Sequence, residues 1–152
     1  MIATGAKAIT PPIKGVERES VFTLRNIGDM NRIKAFINEA FPKSAAIIGT
    51  GFIGLEVCEN LKRLGIDVTL IERLPQVTPG LDSDMAVYVQ EHIEKNGVAV
   101  HINTTATEIT DNGVLLSDGK EIKADMVLIS AGVRPNTELA KTAGVELGIA
   151  GA

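Results

Sequence analysis

Apolar residues in this chain alternate between short unbroken runs and a one-sided 3.6-residue repeat, which predicts strands and helices in turn. Ala45-Ala-Ile-Ile48 is an apolar run bounded by Ser44 and Gly49, the pattern of a parallel strand covered on both faces. Ile53, Val57, Cys58, Leu61 and Leu64 then form one stripe, with Glu59, Lys62 and Arg63 elsewhere, so a helix follows. Gly65 stands where a left-handed residue commonly closes a helix. Asp67 to Ile71 is the next strand, and Glu72 closes it.

The flanking segments are read in the same way. Met1 to Ala6 reads as the tail of a strand ending at Gly5, and Ile9 to Gly15, with Pro11 and Pro12, as an extended connector. A helix runs from Asp29, a good capping residue, to about Ala40, with Ile33, Phe36 and Ile37 on one side. A loop with Pro75, Pro79 and Gly80 precedes a helix capped by Asp82 or Ser83, with Ala86, Val89 and Ile93 inward. That helix stops before Gly97, and Val98 to Ile102 is a strand. Asn112-Gly113 and Asp118-Gly119 are hairpin dipeptides. They predict a meander of Ala106–Thr110, Val114–Ser117 and Lys120–Lys123 laid over one face of the sheet. Met126 to Ala131 re-enters the parallel sheet, and a loop from Gly132 to Asn136 follows. The fold class is α/β: a Rossmann-like parallel sheet with helices and an added antiparallel β-meander.

The chemistry concentrates at Gly49-Thr-Gly51-Phe-Ile-Gly54. Gly49 permits a sharp turn, Gly51 lets the backbone approach a pyrophosphate, and Gly54 lets the helix lie close to the strand. Phe52 and Ile53 fill the two places between the last two glycines and complete the candidate cofactor loop. The helix start offers unpaired amides and the positive end of a dipole to the phosphates. Glu72 stands about 20 residues past Gly51, the separation expected of an acid that accepts hydrogen bonds from the adenosine ribose. A 2′-phosphate beside it would meet repulsion of about 4 kcal/mol at about 4 Å and an effective dielectric near 20. NAD(H) is therefore favoured over NADP(H). Arg73 has two readings, a guanidinium that pairs with such a phosphate or a solvated loop residue. Gly132, beyond the carboxyl end of a strand, either approaches the cofactor or makes a tight exit turn.

Composition narrows the field further. With 152 residues, 45% of them hydrophobic and 22% charged, the chain reads as one domain able to bury a core. A net charge of −4 and 3% aromatic residues argue against nucleic acid as a partner. No signal peptide is visible at Met1 to Gly15, and the longest uncharged stretch, Ser44 to Leu55, is too short to span a bilayer. No membrane association and a cytoplasmic location are expected. Cys58 is the only cysteine and sits on the apolar stripe, a core position. His92 and His101 belong to no zinc-type spacing, so no metal is expected. No nucleophile turn or triphosphate loop appears. Tyr88 is followed four residues later by His92 rather than the lysine of a short-chain dehydrogenase. Two rivals share the glycine turn: an NAD(H)-sensing regulatory domain without catalysis, and a methyltransferase-like fold for S-adenosylmethionine.

The segments GTGFIGLE at Gly49 to Glu56, the strand ending in Glu72, the two-turn meander and ISAGVRPN at Ile129 to Asn136 come in one order. That order resembles the NAD(P)H-binding domain of the flavin-dependent pyridine nucleotide-disulfide oxidoreductases. The branch of coenzyme A-disulfide reductases, NADH oxidases and NADH peroxidases looks nearest. Ile2-Ala-Thr-Gly-Ala6 resembles the segment where that family leaves its FAD domain. The resemblance implies that Gly49, Gly51 and Gly54 line the pyrophosphate and that Glu72 holds the ribose. It also implies that Gly132 approaches the nicotinamide and that Glu56 stands beside that ring, where it meets the flavin. From the residues alone Glu56 is a helix-surface carboxylate. The family's FAD site and redox cysteine have no counterpart here, since Cys58 lies on the dinucleotide helix. The chain therefore reads as a single NAD(H)-binding domain whose flanks, 1–15 and 137–152, lead to absent FAD and dimerisation domains. FAD belongs to the parent enzyme, which would pass electrons from NADH to a disulfide, peroxide or oxygen. Alone, the chain is expected to bind NADH and catalyse nothing.

Overall fold

Strands without polar positions on either face need cover on both sides, and the computed structural model, which describes residues 2–148, provides it. In chain order the elements are β1 (Ala6–Ala8), β2 (Val21–Thr23), α1 (Ile27–Ala40), β3 (Ser44–Ile48), α2 (Phe52–Arg63), β4 (Asp67–Ile71) and α3 (Ser83–Lys95). There follow β5 (Ala99–His101), β6 (Ala106–Ile109), β7 (Gly113–Leu116), β8 (Glu121–Lys123), β9 (Met126–Ile129), β10 (Val133–Pro135) and α4 (Glu138–Thr142). The main sheet is parallel, in the order β2-β9-β3-β4-β5. From β3 the chain advances to β4 and β5 on one side, then returns through β9 on the other. The direction of winding therefore reverses between β3 and β9, where open α/β sheets bind ligands.

Alternation along the strands divides the core in two. Ala45 and Ile47 of β3, Val68 and Leu70 of β4, and Met126 and Leu128 of β9 face one way, into a layer with Ile33, Cys58 and Leu61 from the helices. Ala46, Ile48, Ile71, Val127 and Ile129 face the other way, against Ile109, Val114 and Leu116 of the three-stranded antiparallel meander. Every residue of β9 is buried, because helices cover one of its faces and the meander the other.

Several boundaries differ from the sequence-based expectation. The first strand begins after Gly5 and pairs antiparallel with β10, inside the segment expected to be a loop. β9 ends at Ile129 rather than Ala131, and β5 is shorter at both ends than expected. The edge strand β2, whose Phe22 packs on Phe36 with ring centroids 5.1 Å apart, was not anticipated. Asn26, not Asp29, caps α1; its side chain accepts the Asp29 N–H at 3.0 Å, and Asp29 reaches back to the Asn26 N–H at 3.2 Å. Asp29 is thus the third-residue acid of a capping box. On α2 the buried positions are Gly54, Cys58 and Leu61, whereas Ile53 and Leu64 at the two ends of the stripe are 44% and 63% exposed. Both stand roughly a quarter-turn around the helix from those buried positions. Met1 and residues 149–152, parts of the expected flanking segments, lie outside the described residues.

One polar joint holds β9 to β3. The Asp125 Oδ2 accepts from the Lys43 N–H at 2.8 Å, the Ser44 N–H at 2.9 Å and the Ser44 hydroxyl at 2.9 Å. Partial desolvation works to raise its pKa, but these donors outweigh it and hold the carboxyl below its ordinary 3.8. A group whose folded pKa is depressed lends stability above its unfolded pKa and loses it as the pH falls through the folded value. The urea midpoint of the wild type should therefore exceed that of Asp125→Asn near neutral pH. The gap should close as pH falls below 3.8, and urea unfolding across that range checks it.

Candidate functional site

Between the ends of β3 and β9 the chain has room only for main chain. Gly49 turns there with φ +102°, donating its N–H to the Ile71 carbonyl at 2.8 Å. A Cβ on it would lie 2.3 Å from the Ser130 carbonyl oxygen, a separation no side chain tolerates. One turn of helix later, a Cβ on Gly54 would lie 2.3 Å from the Gly49 oxygen. The two glycines thus press α2 onto the turn and the turn onto β9. Gly51 differs, because nothing lies within 4 Å of where its Cβ would be. It is the N-cap of α2 and offers no capping side chain, so the helix start is open. It faces a cleft of about 380 Å³ lined by Gly49, Thr50, Gly51, Glu72, Arg73 and Gly132, among others.

Glu72 is buried in the wall of this cleft, with 7% of its surface exposed. A buried carboxylate is tolerable only when donors replace its water, and three do. Its Oε2 accepts from the Thr50 N–H at 3.0 Å and the Thr50 hydroxyl at 2.9 Å, and its Oε1 from the Leu74 N–H at 2.9 Å. A carboxylate offers about four lone-pair positions, so one on Oε1 stays open. Thr50 is fully buried, and its carbonyl accepts the Thr78 N–H at 3.1 Å. Sequence reasoning did not single out Thr50. The signal available was a hydroxyl between two glycines of the turn.

The remaining candidates divide into two groups. Arg73 is exposed at the cleft edge and has no ion-pair partner among the described residues, and Gly132 lies across the cleft with φ +101°. Gly54 lies beneath the helix and does not line the cleft. Phe52, Ile53 and Glu56 line a separate groove of about 560 Å³ with Leu24, Ile27 and Met30, where the starts of α1 and α2 meet. Glu56 is exposed there, and Phe52 is 72% exposed. Cys58 is buried under α2, where desolvation outweighs the nearby Lys62 charge and pushes its thiol up to about 11. Among the described residues no three His, Cys, Asp or Glu side chains cluster to hold a metal ion. No helix among them is long and apolar enough to cross a membrane.

Comparison with known proteins matches residues 1–152 to the pyridine nucleotide-disulphide oxidoreductase family. An NADH oxidase of Methanocaldococcus jannaschii is 42% identical over 152 residues, covering 97% of this chain and 34% of that protein. Reduced Bacillus anthracis CoADR-RHD superposes with a TM-score of 0.93 at 44% identity, over 97% of this chain and 27% of that one. An NAD-dependent persulfide reductase from A. fulgidus superposes with a TM-score of 0.92 at 40% identity, over 97% and 28%. The chain spans about a third or less of these relatives. With its whole length matched and its switch-point glycines in place, this chain belongs to the pyridine nucleotide-disulphide oxidoreductase family.

Proposed function

We propose that this chain binds NADH and holds it for hydride transfer to FAD in a parent flavoenzyme, which passes the electrons to a disulfide, peroxide or oxygen. The observation that carries the reading is the open space over Gly51, at an uncapped helix start beside the one free lone pair of Glu72. Two relatives bear names that point the same way, an NADH oxidase and an NAD-dependent persulfide reductase.

The residues present fit such a ligand. The first-turn amides of α2 and the helix dipole receive the pyrophosphate without a basic side chain. Oε1 of Glu72 accepts one adenosine ribose hydroxyl, and its charge opposes a 2′-phosphate. Gly132 keeps the far wall of the cleft free of a side chain. The groove of Phe52, Ile53 and Glu56 receives the nicotinamide end: its walls offer the ring an apolar surface, and Glu56 offers an acceptor to an amide donor. NADH, when bound, supplies the hydride, and the protein supplies position and electrostatics. No residue of the site favours the alternative of an NAD(H)-sensing domain without catalysis.

Calorimetry with NADH, NADPH and FAD should give binding in that order of preference, with FAD weakest. Tight FAD binding, or a preference for NADPH, would contradict the reading. Glu72→Ala should cost about 2 kcal/mol of NADH affinity, the worth of a hydrogen bond to a charged group, and narrow the NADH-to-NADPH ratio. An unchanged ratio would place the discrimination elsewhere.

Two glycine substitutions separate binding from folding. Gly54→Ala should lower stability by about 1–3 kcal/mol, because its methyl meets main chain that cannot give way. Gly51→Ala should leave thermal stability nearly unchanged and weaken NADH binding, since its methyl projects only into open space. Melting curves and NADH titrations of both variants check the contrast.

A further inference from the structure

We propose that Thr50 is a positioning residue for nucleotide selectivity, acting through Glu72 to set the choice between NADH and NADPH. This rests on the assignment of Glu72 to the adenosine ribose. The side chain of Thr50 is fully buried in the cleft wall, and its N–H and hydroxyl are both given to Glu72, so it acts through that carboxylate.

The two oxygens of Glu72 are not equivalent. Oε2 takes both donors of Thr50, the N–H at 3.0 Å and the hydroxyl at 2.9 Å, and is saturated. Oε1 takes only the Leu74 N–H at 2.9 Å and keeps one lone pair. The last torsion of a glutamate is soft and roughly two-fold, so a carboxyl held by one donor on each oxygen can still tilt. Paired donors from one residue remove that freedom, and they fix which oxygen is left for the ligand.

Thr50 cannot turn away from this duty. Its N–H is spent on Glu72, its carbonyl accepts the Thr78 N–H at 3.1 Å, and Gly49 and Gly51 on either side bring no side chain that could substitute. A ribose hydroxyl donates a proton and needs a lone pair at a defined place. A 2′-phosphate brings further acceptors and charge, which a pinned carboxylate opposes and a mobile one can swing away from. The hydroxyl of Thr50 therefore makes Glu72 a fixed acceptor for one cofactor and a fixed obstacle to the other.

The test compares Thr50→Val, which keeps the shape and loses the donor, with Thr50→Ser, which keeps the donor. Dissociation constants for NADH and NADPH are measured by fluorescence titration on the 152-residue chain, beside the wild type and Glu72→Ala. Thr50→Val should narrow the NADH-to-NADPH ratio by about tenfold, the factor that a loss of one charge-assisted hydrogen bond allows, and Thr50→Ser should restore it. Equal weakening toward both cofactors by Thr50→Val, or the same narrowing in Thr50→Ser, would overturn the proposal and leave Thr50 a packing residue. Should melting curves show that Thr50→Val does not fold, Thr50→Ala gives the same reading. A ratio that Glu72→Ala narrows and Thr50→Val leaves alone refutes only the role of Thr50. A ratio unmoved by Glu72→Ala refutes the ribose assignment, and the proposal with it.

Discussion

A carboxylate taken out of water must be met by donors, and Glu72 meets three that come from two different segments. Two belong to Thr50 in the turn after β3, and one to Leu74 at the start of the loop after β4. The same carboxylate therefore closes the glycine turn onto the neighbouring strand and anchors the loop that borders the cleft. The backbone of Glu72 is held as well, its N–H by His101 at 2.8 Å and its carbonyl by the Thr104 N–H at 2.9 Å. Removing the side chain would strand three inward-pointing donors, a larger disturbance than losing one ligand contact. The three donors explain why a charged residue is tolerated in a buried place just past the strand.

Layering decides where that group is used. The helices cover one face of the sheet and the meander covers the other, so only the strand ends are left for a ligand. At those ends the reversal between β3 and β9 opens the sheet, and Gly49 and Gly54 let three main-chain segments come within contact distance. The cleft lies over this turn, where Gly49 and Gly51 add no side chains of their own.

Much of this was legible in the sequence, because the signals are local. The apolar run before Gly49, the glycine spacing, Glu72 and the two hairpin dipeptides each report on a few neighbouring residues, and the corresponding elements stand close to where periodicity puts them. Some of the misses come from pairing across long separations, the others from local geometry that the period does not fix. β2 and β10 have three residues each and exist because β9 and β1 lie beside them. Asn26 and Asp29 are both good capping residues, and only the geometry of α1 shows that each caps the other's N–H. Ile53 and Leu64 follow the helical period but stand at the margin of the stripe, roughly a quarter-turn from its buried centre, so membership of the stripe did not tell that they are exposed. Thr50 was invisible for a similar reason: its importance lies in a partner 22 positions away.

Cys58 sits under the helix that begins at the glycine turn, in a family named for disulphide chemistry. With its thiol pushed up to about 11 by burial, the protonated form dominates at neutral pH, and thiolate is the form that reacts. Its burial also denies oxidants an approach. A sulfur so placed fills space between helix and sheet as a small apolar group would, and its chemistry goes unused.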